Sequence, residues 1–153
     1  MSTEEILKEF KKTLISFFDE LIEQFPSEGS LVFLRIYLND QICIKEVMDN
    51  FIVKINKNNE ELLNIIENRN DIYFLENNVF EINKQTFNKL KKIWCTGLDK
   101  EDKNLIWKWI DSFVYFAKKY SNLNSTINEN EEENEETINI YDETQESENE
   151  ENI

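Results

Sequence analysis

FNKLKKIWCTGLDKEDKNLIWKWIDSFVYFAKKY, residues 87–120, decides the fold. It holds all three tryptophans, Trp94, Trp107 and Trp109, and two of the five tyrosines. Its apolar residues recur at spacings of three and four, the period of a helix with one face turned to a core. Phe87, Leu90, Ile93 and Trp94 line one side of a first helix. Gly97 suits the region just past its end, where a left-handed residue is tolerated. Asp99 caps a second helix, with Asp102 three residues on and acids in the first turn, where the helix dipole favours them. In that second helix Ile106, Ile110, Phe113, Ala117 and Tyr120 form one stripe, Leu105, Trp109 and Phe116 a second, and Trp107 with Val114 a third. A helix apolar on three sides is central in a bundle or offers one face to a partner.

The same period runs back to the N-terminus. Ser2 with Glu5 reads as a capping box. Ile6, Phe10, Leu14, Phe17, Leu21 and Phe25 then follow at helical spacing until Pro26 stops the element. The run LVFLRIYL, residues 31–38, has the β-branched and aromatic content of a strand, but its neighbours are helical and no partner strand is evident, so a helix is expected. Residues 42–55 and 60–67 each read as helix. Residues 68–83 read as loop, yet they carry Ile72, Phe74, Val79 and Phe80, so this loop is expected to lie on the core. The fold class is all-α: a single compact bundle of five to six helices over residues 2–122, with a disordered acidic tail over 123–153.

Charge sets the tail apart. Of the 32 acidic residues, twelve lie in residues 125–153, which hold no Lys or Arg; residues 1–124 carry 20 acidic against 17 basic residues, so the body is close to neutral. High charge with little apolar content is the signature of disorder. A chain of net −15 without a basic stripe repels phosphate backbones, which argues against direct nucleic-acid binding. No apolar run approaches the roughly 18 residues of a spanning helix, so no membrane span is expected. The acidic N-terminus does not resemble a signal or transit peptide. Cys43 and Cys95, on apolar helical segments, are expected to be buried free thiols in a reducing compartment, and the protein to be cytoplasmic.

The chemistry-bearing motifs are few. With no histidine, Ser-His-Asp and Cys-His constellations, His-containing zinc sites and histidine switches are excluded. With only Gly29 and Gly97 there is no phosphate-binding glycine loop. Asp99, Glu101 and Asp102 have the chemistry of a hard-cation site, but helix capping explains the same residues at the same spacing. Arg35 sits inside an apolar run, where it either pairs with an acid or covers apolar surface with its stem. No catalytic, cofactor-binding or metal-ligating residue and no cofactor is expected. Trp107 and Trp109, two apart on one helix, point in different directions, so either one is an exposed anchor for a partner or both are covered by neighbouring helices. Tyr141 lies in the tail's apolar island, residues 137–141. Trp107, Trp109 and Tyr141 are the candidate partner-binding residues.

Two segments carry a resemblance. FFDELIEQFPSE, residues 17–28, is an amphipathic helix ending in Phe-Pro; DKEDKNLIWKWIDSFVYFA, residues 99–117, is a capped polar segment leading into Ile-Trp-Lys-aromatic, preceded by Trp94 and a short turn. Together they resemble an uncharacterised all-helical family of large eukaryotic DNA viruses, of the mimivirus-like and algal-virus-like groups. The scarcity of Ala, Pro and Gly, whose codons are GC-rich, is in keeping with such an AT-rich source. The resemblance implies a small, non-enzymatic helical protein acting in the cytoplasm of an infected cell or packaged in a virion. It transfers no catalytic residue, because the shared motifs are structural.

The expected function is therefore protein–protein interaction without catalysis, with the helical body binding a protein partner of unspecified identity and no assigned oligomeric state. A second reading makes the acidic tail a nucleic-acid mimic that binds a basic protein. A third, carboxylate-metal catalysis, rests on Asp99, Glu101 and Asp102 alone.

Overall fold

A computed structural model describes residues 1–57, 61–79 and 83–150, with side chains of the last helix described as far as residue 130. Among the described residues seven α-helices follow one another: α1 (Thr3–Gln24), α2 (Gly29–Asp40), α3 (Ile44–Asn56), α4 (Glu61–Glu67), α5 (Asp71–Glu76), α6 (Lys84–Lys92) and α7 (Lys100–Glu150), with one π-helical turn, Ile93–Gly97, between the last two. No strand occurs among the described residues. The all-α class expected from periodicity is the class observed, with one helix more than the upper expected count. The addition is α5, in the stretch expected to be a loop. Asn70 starts it by accepting the Tyr73 N–H on its side chain at 3.4 Å. Phe74 of α5 and the following Val79 do pack on the core, as the apolar content of this stretch required. Phe80 lies outside the described residues.

The capping box at Ser2 is formed in both directions, each bond 3.2 Å long. α1 then lies along α7, which also packs on α3 and α4 and is the central helix. Their shared face holds Phe10, 2 % exposed, edge-on to Phe113 at 6.1 Å between ring centroids and stacked on Phe51 of α3 at 6.4 Å. Phe113, Val114, Ala117 and Tyr120 of α7 are buried in the same cluster, whereas Leu105 is half exposed. The first and third stripes of this helix thus form the core, and the second lies on its edge.

Helix α7 continues to Glu150 through the acidic segment for which composition predicts disorder. No Pro or Gly follows Gly97 to interrupt it. Among the described side chains Leu123 is the last set against the core, and residues 125–130 are all exposed.

Two local expectations change. Cys43 and Cys95 are free thiols but exposed rather than buried. They sit at the N-cap of α3 and in the π turn, and helix ends turn their side chains away from the inward stripe. Gly97 is not left-handed. Its lack of a side chain matters for packing instead, since a Cβ there would lie 3.4 Å from the Phe25 ring. Among the described residues the left-handed one is Arg69, at φ 54°, where the chain leaves α4.

Candidate interaction surface

LVFLRIYL forms the middle of α2, and a helical run with Arg35 as its one polar residue is apolar on most sides. Only one side is used. Leu31 and Leu38, seven residues apart, are 3 % and 7 % exposed, and α1 is the principal helix beneath them. Polar contacts hold the seam: the Arg35 guanidinium pairs with Asp19 of α1, and Lys11 Nζ donates to the Asn39 carbonyl at 3.0 Å, satisfying an acceptor at the end of α2. The Asp19 carboxylate, hydrogen-bonding and charge-pairing, raises the Arg35 pKa above its ordinary value. Asp19 is exposed, so Arg35 has an acidic partner but not a buried one.

On the outer side, Phe33 is 78 % exposed, Tyr37 50 % and Ile36 46 %. Positions i, i+3 and i+4 are neighbours on a helix surface, so these three make one patch. Val32 and Leu34 flank it, both also exposed. Arg35 and Asp40 are the charged residues of α2. Covering a large apolar side chain is worth roughly 1.5–3 kcal/mol, so a partner over this patch gains several times that. Single exposed apolar residues are ordinary on a protein surface, whereas neighbouring ones on one helix face are less so.

The residues singled out from sequence lie elsewhere. Trp107 is 6 % exposed and belongs to the core cluster. Its ring meets Trp94 edge-on at 5.9 Å, Phe74 at 5.9 Å and the Arg69 guanidinium at 5.5 Å. Trp109 is half-buried against Phe17 at 5.7 Å. Trp107 is thus covered by neighbouring helices, while Trp109 packs on α1 and keeps part of its surface exposed. The Tyr141 side chain lies outside those described. Asp99 and Asp102 bond each other's backbone N–H groups, at 2.8 and 3.2 Å, as reciprocal helix caps. Among the described residues no three His, Cys, Asp or Glu side chains are grouped as a metal would require. No helix among them is long and apolar enough to cross a membrane.

The sequence reading of residues 31–38 decides between helix and strand and singles out none of Phe33, Ile36 and Tyr37. The signal was present: an apolar run without the 3.6-residue period has no polar face to give to solvent. No family model, curated protein or solved structure matches this chain.

Proposed function

We propose that the protein is a non-enzymatic interaction module whose helical body binds a protein partner through the outer face of α2. The observation that carries this reading is the exposed triad Phe33, Ile36 and Tyr37 on a helix whose other side is already packed. The charge distribution indicates the kind of partner. A second copy would bring together two chains of net −15, which opposes self-association. A partner with an apolar docking surface and basic charge around it would be attracted by the acidic segment 123–153 and held by α2. In this reading the segment is a solvated extension that speeds encounter. Acting alone as a nucleic-acid mimic, it would need no help from α2. The resemblance to the viral helical family favours action in an infected cell's cytoplasm or in a virion.

The test compares three forms in affinity capture from host cytoplasm: the full chain, residues 1–124, and the full chain carrying Phe33→Asp with Tyr37→Asp. Residues 1–124 keep every core side chain among those described, Leu123 being the last of them. A basic partner retained by the full chain, weakened and less salt-sensitive with 1–124, and lost with the double substitution is the expected result. Retention by the double variant together with loss by 1–124 would move function to the acidic segment. Sedimentation of the purified full chain decides whether a second copy is the occupant instead.

A further inference from the structure

A cavity of 580 Å³ lies between α1, α3, α5, α6 and α7. Protein interiors leave few voids larger than a water molecule, and this volume falls in the range of ligand pockets, about 300–1,000 Å³. Nine of its 22 described lining residues are Phe or Trp, and seven are Leu, Ile or Val. Side chains around such a space lack packing partners on one side, and an apolar occupant supplies them. An apolar cavity of about 150 Å³ already stays dry and takes up benzene. One side of the wall is thin: α5, α6 and the π turn contribute no buried residue. Trp94 ties that side down, with Nε1 donating to Asp71 of α5 at 3.0 Å and its ring edge-on to Trp107 of α7 at 5.9 Å. A side with so few buried contacts opens at the lowest cost and gives an entry route.

Charge on the wall selects against an ion. The charged side chains among the described lining residues are Lys54, Asp71 and Lys91. Each is already engaged: Asp71 by the Trp94 indole, Lys91 over the Phe87 ring at 5.3 Å from its centroid, and Lys54 by a partner within the chain. The adjoining polar pocket of 370 Å³ sets Lys54 and Lys57 against Glu61 and Glu76, so neither sign is in excess there. An ion in the cavity would be buried unpaired, at a cost that an uncharged molecule avoids. We propose that the bundle binds an uncharged apolar small molecule between α1, α3 and α7, entering past α5 and α6. An alkyl chain and a fused-ring hydrocarbon share that chemistry.

Two fluorescent probes test the binding on the full chain, each kept below its aggregation threshold. N-phenylnaphthylamine is uncharged; anilinonaphthalene sulfonate has the same ring skeleton and an added anionic group. Saturable brightening of the amine is expected, with the sulfonate at least about tenfold weaker, or 1.4 kcal/mol. Displacement of the amine by dodecanol or by naphthalene, whichever acts at lower concentration, tells a chain from a ring system. Filling the space with Val47→Trp, or with Leu14→Trp should the first variant lose its helical circular dichroism, should weaken the amine by a similar factor. Bromododecanol reads the cavity without altering it: it should quench the fluorescence of Trp94 and Trp107, which line the cavity, and still do so in Trp109→Phe, since Trp109 does not line it. Absence of both saturable brightening and bromine quenching would overturn the proposal, as would undiminished binding by a folded cavity-filled variant or sulfonate binding as tight as that of the amine. Loss of the probe in Phe33→Asp with Tyr37→Asp would place it on α2 and overturn the proposal as well, because no residue of α2 lines the cavity. Partner capture through α2 stands or falls separately.

Discussion

Replacing Trp107 by alanine separates a core tryptophan from a docking tryptophan. The side chain is 6 % exposed, and truncating a buried Trp costs about 3–5 kcal/mol. Its edge-on pair with Trp94 and its contact with Phe74 add specificity worth about 0.5–1.5 kcal/mol each within that total. One flank already faces the 580 Å³ cavity, so fewer packing partners are lost than in a filled core. The loss should therefore lie at the lower end, about 3 kcal/mol. For a domain of this size that lowers the melting temperature by roughly 10–15 °C. Urea unfolding followed by far-ultraviolet circular dichroism measures it, with the slope against denaturant unchanged. Trp109→Ala, at a half-buried position, should lose about half as much. A loss below about 1 kcal/mol for Trp107→Ala, accompanied by loss of partner capture, would refute the core assignment and restore Trp107 as an anchor.

Other perturbations read other parts of the structure. Ser2→Ala removes one half of a reciprocal cap and should destabilise the bundle by about 1 kcal/mol, measured by the same urea titration. Gly97→Ala should be neutral or stabilising by about 0.5 kcal/mol, because its backbone is not left-handed and the nearest atom to the added methyl is 3.4 Å away; marked destabilisation would reinstate a left-handed cap there. Arg69 donates two hydrogen bonds to Asp111, at 2.6 and 2.7 Å, and this holds the Asp111 carboxyl below the usual carboxylate range. The unfolded chain takes up this proton first as pH falls, so the contribution is complete above about pH 4 and disappears as pH drops through the lowered folded value. With both partners over a third exposed, solvent screening limits it to about 0.5–1 kcal/mol. Asp111→Asn should flatten the acid limb of stability against pH by that amount.

How much of this was legible beforehand differs from element to element. The 22 residues of α1 are bounded by signals within the chain itself, Ser2 and Glu5 at one end and Pro26 beyond the other. α5 was not legible. At six residues, Asp71–Glu76 is too short to show a period, and its start depends on one Asn70 side chain turning onto the Tyr73 N–H. The bidentate pair of Arg69 with Asp111 spans 42 positions, and no local pattern announces it.

The sequence by itself determined the all-helical class and the absence of histidine chemistry. These follow from periodicity, composition and charge, which are properties of neighbouring residues. Only the tertiary structure decided which apolar faces are used. α2 and α7 are both apolar on several sides, yet α7 is enclosed by α1, α3 and α4 while the outer face of α2 is left to solvent. Hydrophobicity states that a side chain gains from burial; whether another helix is there to bury it depends on the arrangement of the whole chain. That difference removes Trp107 from the surface and puts Phe33 on it.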